Sequence, residues 1–169
     1  MRLYPGRIAG ISSEVVRLLR DAGDIETDSP KDVEADLSSV LQSYLDAERE
    51  VSERAKEIMQ SRGLPQTEFN RTKRLVAEQQ RIGIGDDVLD YLLDQLVEML
   101  FHSGAVEEVF SQDIELRRKM APVLRKNMEV DEEVDRETRA RIKHVEEGSR
   151  TWEVEYRRVM EDIRRRKGL

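Results

Sequence analysis

The chain carries two histidines, His102 and His144, and no cysteine among its 169 residues. Metal or acid–base chemistry would therefore rest on those two imidazoles and on carboxylates. A di-metal site of the ferritin kind needs Glu-x-x-His on two helices, so that a carboxylate and an imidazole leave the same face. Three residues before His102 and His144 stand Met99 and Arg141 instead. The His-Glu-x-x-His pattern of zinc peptidases is also absent. His102 falls in the last turn of an apolar helix, where a partly protonated imidazole suits the negative helix end. Without cysteine there is no disulfide, no thiolate metal site and no thiol nucleophile.

Carboxylates gather in three stretches, Asp24 to Asp36, Asp86 to Glu98 and Glu129 to Glu137. Asp131-Glu132-Glu133-Val134-Asp135 lacks the glycine turn and the oxygen-ligand spacing of a calcium loop. It reads as a solvated helix face, with a divalent cation or a basic partner as the alternative. Gly83-Ile84-Gly85 looks like a phosphate loop only superficially, since no Gly-Lys-Ser/Thr follows and no strand precedes it. No Gly-x-Ser-x-Gly elbow occurs, and Ser12, Ser13, Ser38 and Ser39 lie in helical pattern with no histidine nearby in sequence. No catalytic residue, cofactor site or metal site is assigned, and the protein is expected not to be an enzyme. A carboxylate-based metal enzyme is the third reading.

Basic residues form tighter groups. Arg117, Arg118, Lys119, Arg125 and Lys126 place five positive charges and no acid between positions 117 and 126, and Arg164, Arg165, Arg166 and Lys167 stand at the end of the sequence. Arg71, Lys73 and Arg74 make a third group. Such clusters can bind the phosphates of RNA, for example on a ribosome, by releasing counterions. They can equally complement helix ends or pair with the acidic stretches.

Helices must position these groups. Apolar and charged residues each make up 38% of the chain, with only 9 glycines and 4 prolines, a supply that suits long helices around a thin interior. Apolar residues recur every three to four positions from Arg7 to Ala22, from Pro30 to about Arg62 and from about Glu68 to Gln80. They recur again from Val88 to Phe101, from Asp113 to about Glu147, and from about Thr151 to Arg166. Ser29, Pro30 and Asp32 give a helix start, Ser111 gives another, and Gly23, Gly63, Gly104 and Gly148 give stops. Pro122 removes a backbone hydrogen bond inside the fifth run, so a kink or break is expected near Met120. The seams through Val51 and Val134 are narrow enough to need a partner helix, in the same molecule or in a dimer.

Sliding the sequence by 81 residues superposes Val15-Val16-Arg17-Leu18-Leu19 on Leu96-Val97-Glu98-Met99-Leu100 and Gly23 on Gly104. The same shift sets Ile25-Glu26 on Val106-Glu107 and Asp32-Val33-Glu34 on Asp113-Ile114-Glu115. A further slip of two residues aligns Glu50-Val51 with Glu133-Val134 and Phe69 with Trp152. The fold expected is all-α, an elongated bundle of two related three-helix halves, residues 1–80 and 86–169, joined by a linker at 81–85. The apolar helix from Val88 to Phe101 is expected at their junction.

Met1-Arg2-Leu3 through Ile11, Met120-Ala121-Pro122-Val123-Leu124, and Glu147-Gly148-Ser149 with Trp152, Tyr156 and Arg164-Arg165-Arg166-Lys167-Gly168 resemble the bacterial domain-of-unknown-function family 507 (DUF507). The resemblance spans nearly the whole chain and implies a cytoplasmic bacterial protein, with no activity or catalytic residue to transfer. No signal segment opens the sequence, no run reaches the ~18 apolar residues of a membrane span, and a cytoplasmic location away from the membrane is expected. Formal charge is −7, which opposes wholesale coating of nucleic acid. The first expectation is a non-enzymatic scaffold that meets a protein partner or forms a homo-oligomer, and the second is a ribosome- or RNA-binding protein.

Overall fold

A computed structural model describes residues 1–146 and 149–167, and every side chain among them except those of Val130, Asp131, Glu153 and Lys167. Six α-helices fill these residues: α1 (Ile8–Asp21), α2 (Pro30–Arg62), α3 (Phe69–Gln80), α4 (Val88–His102), α5 (Asp113–Arg141) and α6 (Arg150–Lys167). The all-α expectation holds. Two short strands, β1 (Ile25–Glu26) and β2 (Glu108–Val109), were not expected; they pair antiparallel, with Ile25 opposite Val109 and Glu26 opposite Glu108.

Local chemistry sets most boundaries. Gly23 and Gly63 stand at φ +73 and +61 behind α1 and α2, the left-handed turn that glycine adopts without strain. Pro30 opens α2, where a missing N–H is no loss, and Asp32 faces the positive end of that helix. Two start and stop signals are corrected. Ser103, not Gly104, ends α4 by turning extended, and its Oγ donates to Asp36 while accepting the Ala105 N–H at 3.1 Å. Gln112, not Ser111, caps α5 in a reciprocal pair with Glu115, because the Ser111 hydroxyl is turned toward Asp24.

Of the kink or break expected near Met120, a break does not occur, for α5 runs through Pro122. Pro122 lies on the exposed side of the helix, where the Arg118 carbonyl that loses its helical donor can turn to water. The helix ends at Arg141 instead of Glu147, as Ile142 leaves helical geometry and buries its side chain. Glu147 and Gly148 lie outside the described residues. Gly83 serves packing: a Cβ there would stand 2.5 Å from Tyr91 Cβ and 2.8 Å from the Asp87 carbonyl oxygen.

The central body is a ring of four helices. α1 packs on α2 and on α5, and α4 packs on α5 and on α2, so the first helix of each half touches the long helix of the other. One apolar cluster fills the ring, including Val15, Leu37, Leu41, Leu96, Leu124 and Met128. Each fully buried leucine stabilises the body by roughly 1.5–3 kcal/mol. α4 thus meets both long helices of the body. The outer part of α2 leaves the ring and packs Val51 and Ala55 against Val76 and Ala77 of α3. The outer part of α5 buries Val134 and Thr138, and Ile142 just beyond it is buried too, in an arm with α6, whose Ile163 is also buried.

The order helix, short strand, long helix, shorter helix occurs twice along the chain. Positions 81 apart match in α1 and α4, where Ile11, Leu19, Leu92 and Leu100 are all buried. From the strands onward the offset is 83, as the helix openings Pro30 and Asp113 show. Val33 and Leu116, Val51 and Val134, and Ala55 and Thr138 are then buried in pairs. The 81-residue shift fails at this point because it sets fully buried Val33 against Ile114, which is 72% exposed. The two-residue difference falls in the loops before the ribbon.

Two outcomes follow from this packing. Replacing Pro122 by Ala restores a helical hydrogen bond and should raise stability in urea denaturation by about 1–3 kcal/mol; no gain would mean that the proline is fully accommodated. Val51→Asp puts a carboxylate where α3 covers α2, at a local loss of roughly 3–5 kcal/mol. Limited proteolysis should then cut between α2 and α3 while the four-helix body still unfolds cooperatively, and an unchanged cleavage pattern would contradict the packing.

Candidate functional site

The five cations of α5 point in several directions, because residues a few positions apart leave a helix at different angles. Arg117 reaches Asp94 of α4 and Asp113 of its own helix; hydrogen bonding to Asp113 holds its guanidinium above the usual range despite partial burial. Lys119 donates to both carboxylate oxygens of Asp24, at 2.6 and 2.7 Å. Lys126 lies 3.6 Å from Glu14 of α1. Arg118 and Arg125 are exposed and form no ion pair among the described residues. Three of the five therefore pair with carboxylates, and Lys119 and Lys126 pair across the halves.

Asp24 is the most buried carboxylate of the body, at 2% exposure. Its backbone carbonyl accepts the Phe110 N–H at 2.8 Å, and its side chain accepts from Ser111 and Lys119. Burial pushes the carboxyl up, but hydrogen bonds from Lys119 and Ser111, with the Lys119 charge, leave it below the usual carboxylate value. This group holds the loop before β1 to the start of α5. Thr27 Oγ1 adds a bond of 2.6 Å to the Ala105 carbonyl.

The arginines at the end of α6 sit apart from the α5 group. Arg166 pairs with Asp162 at 2.8 Å, Arg164 is half-buried, and exposed Arg165 lines a shallow cleft with Arg141 and Arg158. The Lys167 side chain lies outside the described residues. Trp152 and Tyr156 fix α6 to α5: their rings stack at 4.8 Å, with the Arg139 guanidinium 5.3 Å from the first and 5.8 Å from the second. Tyr156 donates to Asp135, which also pairs with Arg139. Burial, and then that carboxylate, push the Tyr156 phenol well above its usual value. Val51 and Val134, the candidate partner seams, are 0% and 1% exposed, so helices of the same chain already cover them.

A surface missed in the sequence lies on α4 and the start of α5. Phe101, Phe110 and Ile114 are 51%, 57% and 72% exposed. The carboxylates Asp90, Asp94 and Glu98 are exposed as well and step by four along α4. A legible signal existed: between Arg81 and Arg117 there is no lysine or arginine, but there are nine carboxylates. A cleft of about 590 Å³ opens beside the N-terminal residues Arg2 and Tyr4 and the middle of α2, and both signs of charge line it. Among the described residues no group of three histidine, aspartate or glutamate side chains could hold a metal ion, and no helix is long and apolar enough to cross a membrane.

A four-helix ring with a helix docked on each of two long arms, clasped by a buried aspartate, defines an all-α helical-bundle protein. The chain belongs to the DUF507 family, described as a protein of unknown function, whose sequence model matches residues 1–169. No curated protein matches the chain.

The clasp has a testable pH dependence. A carboxyl held below its ordinary value of 3.8 contributes stability that is fully present above that pH and is lost as pH falls through the lower folded value. Asp24→Ala, which strands Lys119, should lower stability at pH 7 by roughly 2–3 kcal/mol, discounted for the partial exposure of Lys119. The deficit relative to the native protein should shrink below pH 4; a deficit that is independent of pH would remove the ion pair as its cause.

Proposed function

We propose that this protein is a non-enzymatic helical interaction module that acts in the cytoplasm by presenting a fixed surface to a protein partner. The observation that carries this reading is the exposure of Phe101, Phe110 and Ile114, three of the six large apolar side chains that the described residues leave exposed. Large apolar side chains grouped at a surface mark sites of protein contact. The chain's own helices complete the two seams, so the surface for a partner lies elsewhere than at Val51 and Val134. RNA binding gains less support, since Arg117, Lys119, Lys126 and Arg166 are engaged with carboxylates.

Affinity capture with the full-length protein from its native host, together with light scattering over a concentration series, tests the reading. A stoichiometric protein partner or self-association is expected. A strict monomer that retrieves no protein, or that retrieves RNA whose binding falls steeply with salt, would contradict it.

A further inference from the structure

The segments that lead into α1 and α4 are counterparts. At the 81-residue offset that matches these two helices, Met1 and Leu3 fall on Ile82 and Ile84. Each segment enters its helix through a short helical turn, Pro5–Arg7 in one case and Gly85–Asp87 in the other. Ile82 packs both on the central cluster and on the apolar cluster of the first arm, and Ile84 packs on that arm. The residues before α4 thus tie the arm of α2 and α3 to the ring.

The residues before α1 stand in the same relation to the arm of α5 and α6. Leu3 is 1% exposed and belongs to the central cluster, with Met1 packed against it. The Met1 nitrogen lies 3.5 Å from a carboxylate oxygen of Glu132, which stands between Met128 of the central cluster and Val134 of the second arm. Tyr4 is near enough to α6 to add, after burial and Asp135, to the upward push on the Tyr156 phenol. Toward the first arm the segment is open, because Arg2, Tyr4 and Pro5 line the cleft of about 590 Å³ together with Asp46 and Ser52 of α2 and Lys73 of α3.

The two ties differ in how they are fastened. Residues 81–84 carry the backbone from α3 into α4, so peptide bonds hold the first arm to the ring at both ends. The second arm is joined to the ring covalently at α5, and Met1–Tyr4 reach it through contacts. An ion pair with an exposed carboxylate contributes little, and one buried leucine is a small part of what holds the ring. Such a tie can open without unfolding the ring, as local openings do elsewhere in proteins.

We propose that Met1–Tyr4 is a releasable strap. Docked, it fixes the arm of α5 and α6 against the ring; undocked, it lets that arm pivot on α5 near Glu132 while the first arm stays in place. The second arm is then the adjustable part of the molecule, a property that the interaction reading neither requires nor supplies.

Residue-resolved hydrogen exchange on the full chain tests the strap. Leu3→Ala should speed exchange of α6 and of α5 beyond Glu132 by roughly tenfold or more, and leave α3 and the outer turns of α2 unchanged. Tyr4→Ala, which keeps Leu3 in the core, should speed the same amides by a smaller factor. Because the chain has no cysteine, Arg74→Cys on α3 and Arg157→Cys on α6, both at exposed positions, accept spin labels selectively. The distance between the labels should spread over a wider range in either strap variant than in the native background. Equal acceleration of α3 and α6 would overturn the proposal by making Leu3 an ordinary core residue. Unchanged exchange of α6 or an unchanged distance distribution would overturn it as well. Circular dichroism checks that each variant keeps its helices, and if Leu3→Ala does not fold, Tyr4→Ala decides by the same two readouts.

Discussion

The structure depends on one packing constraint: helices α1, α2, α4 and α5 share a single apolar cluster. Two helices joined by a short connection present an apolar face that water reaches from one side, and α1 with α2 and α4 with α5 are two such pairs. The pairs meet so that α1 rests on α5 and α4 rests on α2, which turns two incomplete faces into a single buried cluster. The ribbon, the Asp24 clasp and the Lys126–Glu14 pair all sit on this shared boundary. With an interior this thin, each cross-half contact is a large fraction of the net stability.

The same constraint distributes charge. Lys119 and Lys126 of α5 turn toward the carboxylates of Asp24 and Glu14. The segment from Ile82 to Leu116 supplies no lysine or arginine of its own. Its carboxylates Asp90, Asp94 and Glu98 stay exposed on α4. α3 and α6 complete the long helices, with Trp152 and Tyr156 closing the second arm through Arg139 and Asp135. The aromatic residues of the family resemblance are explained by that closure.

Most of the fold was legible because helical periodicity is a local signal. The runs through Val15, Leu41 and Leu96 repeat every three to four residues, and glycines 23 and 63 mark stops that need only the backbone. What depended on distant groups was not legible. Ser111 reads as a cap until Asp24, far away in sequence, takes its hydroxyl. Pro122 reads as a kink or a break, and that α5 continues through it depends on its place on the wet side of the helix. Two-residue strands such as Ile25–Glu26 are too short to show alternation, and only their pairing creates them. For the site, the basic clusters were visible as composition, but their partners were not. The apolar surface was hidden because Phe101 and Ile114 continue patterns that sequence reading assigns to the interior.

Native-state hydrogen exchange, followed residue by residue, tests the shared core most directly. If both halves complete one interior, the slowest amides of α1, α4 and the inner turns of α2 and α5 will exchange through one common opening. Amides of α3 and α6 will exchange earlier. Two separate sets of slow amides, one for residues up to Gln80 and one from Val88 onward, with different opening free energies, would contradict it.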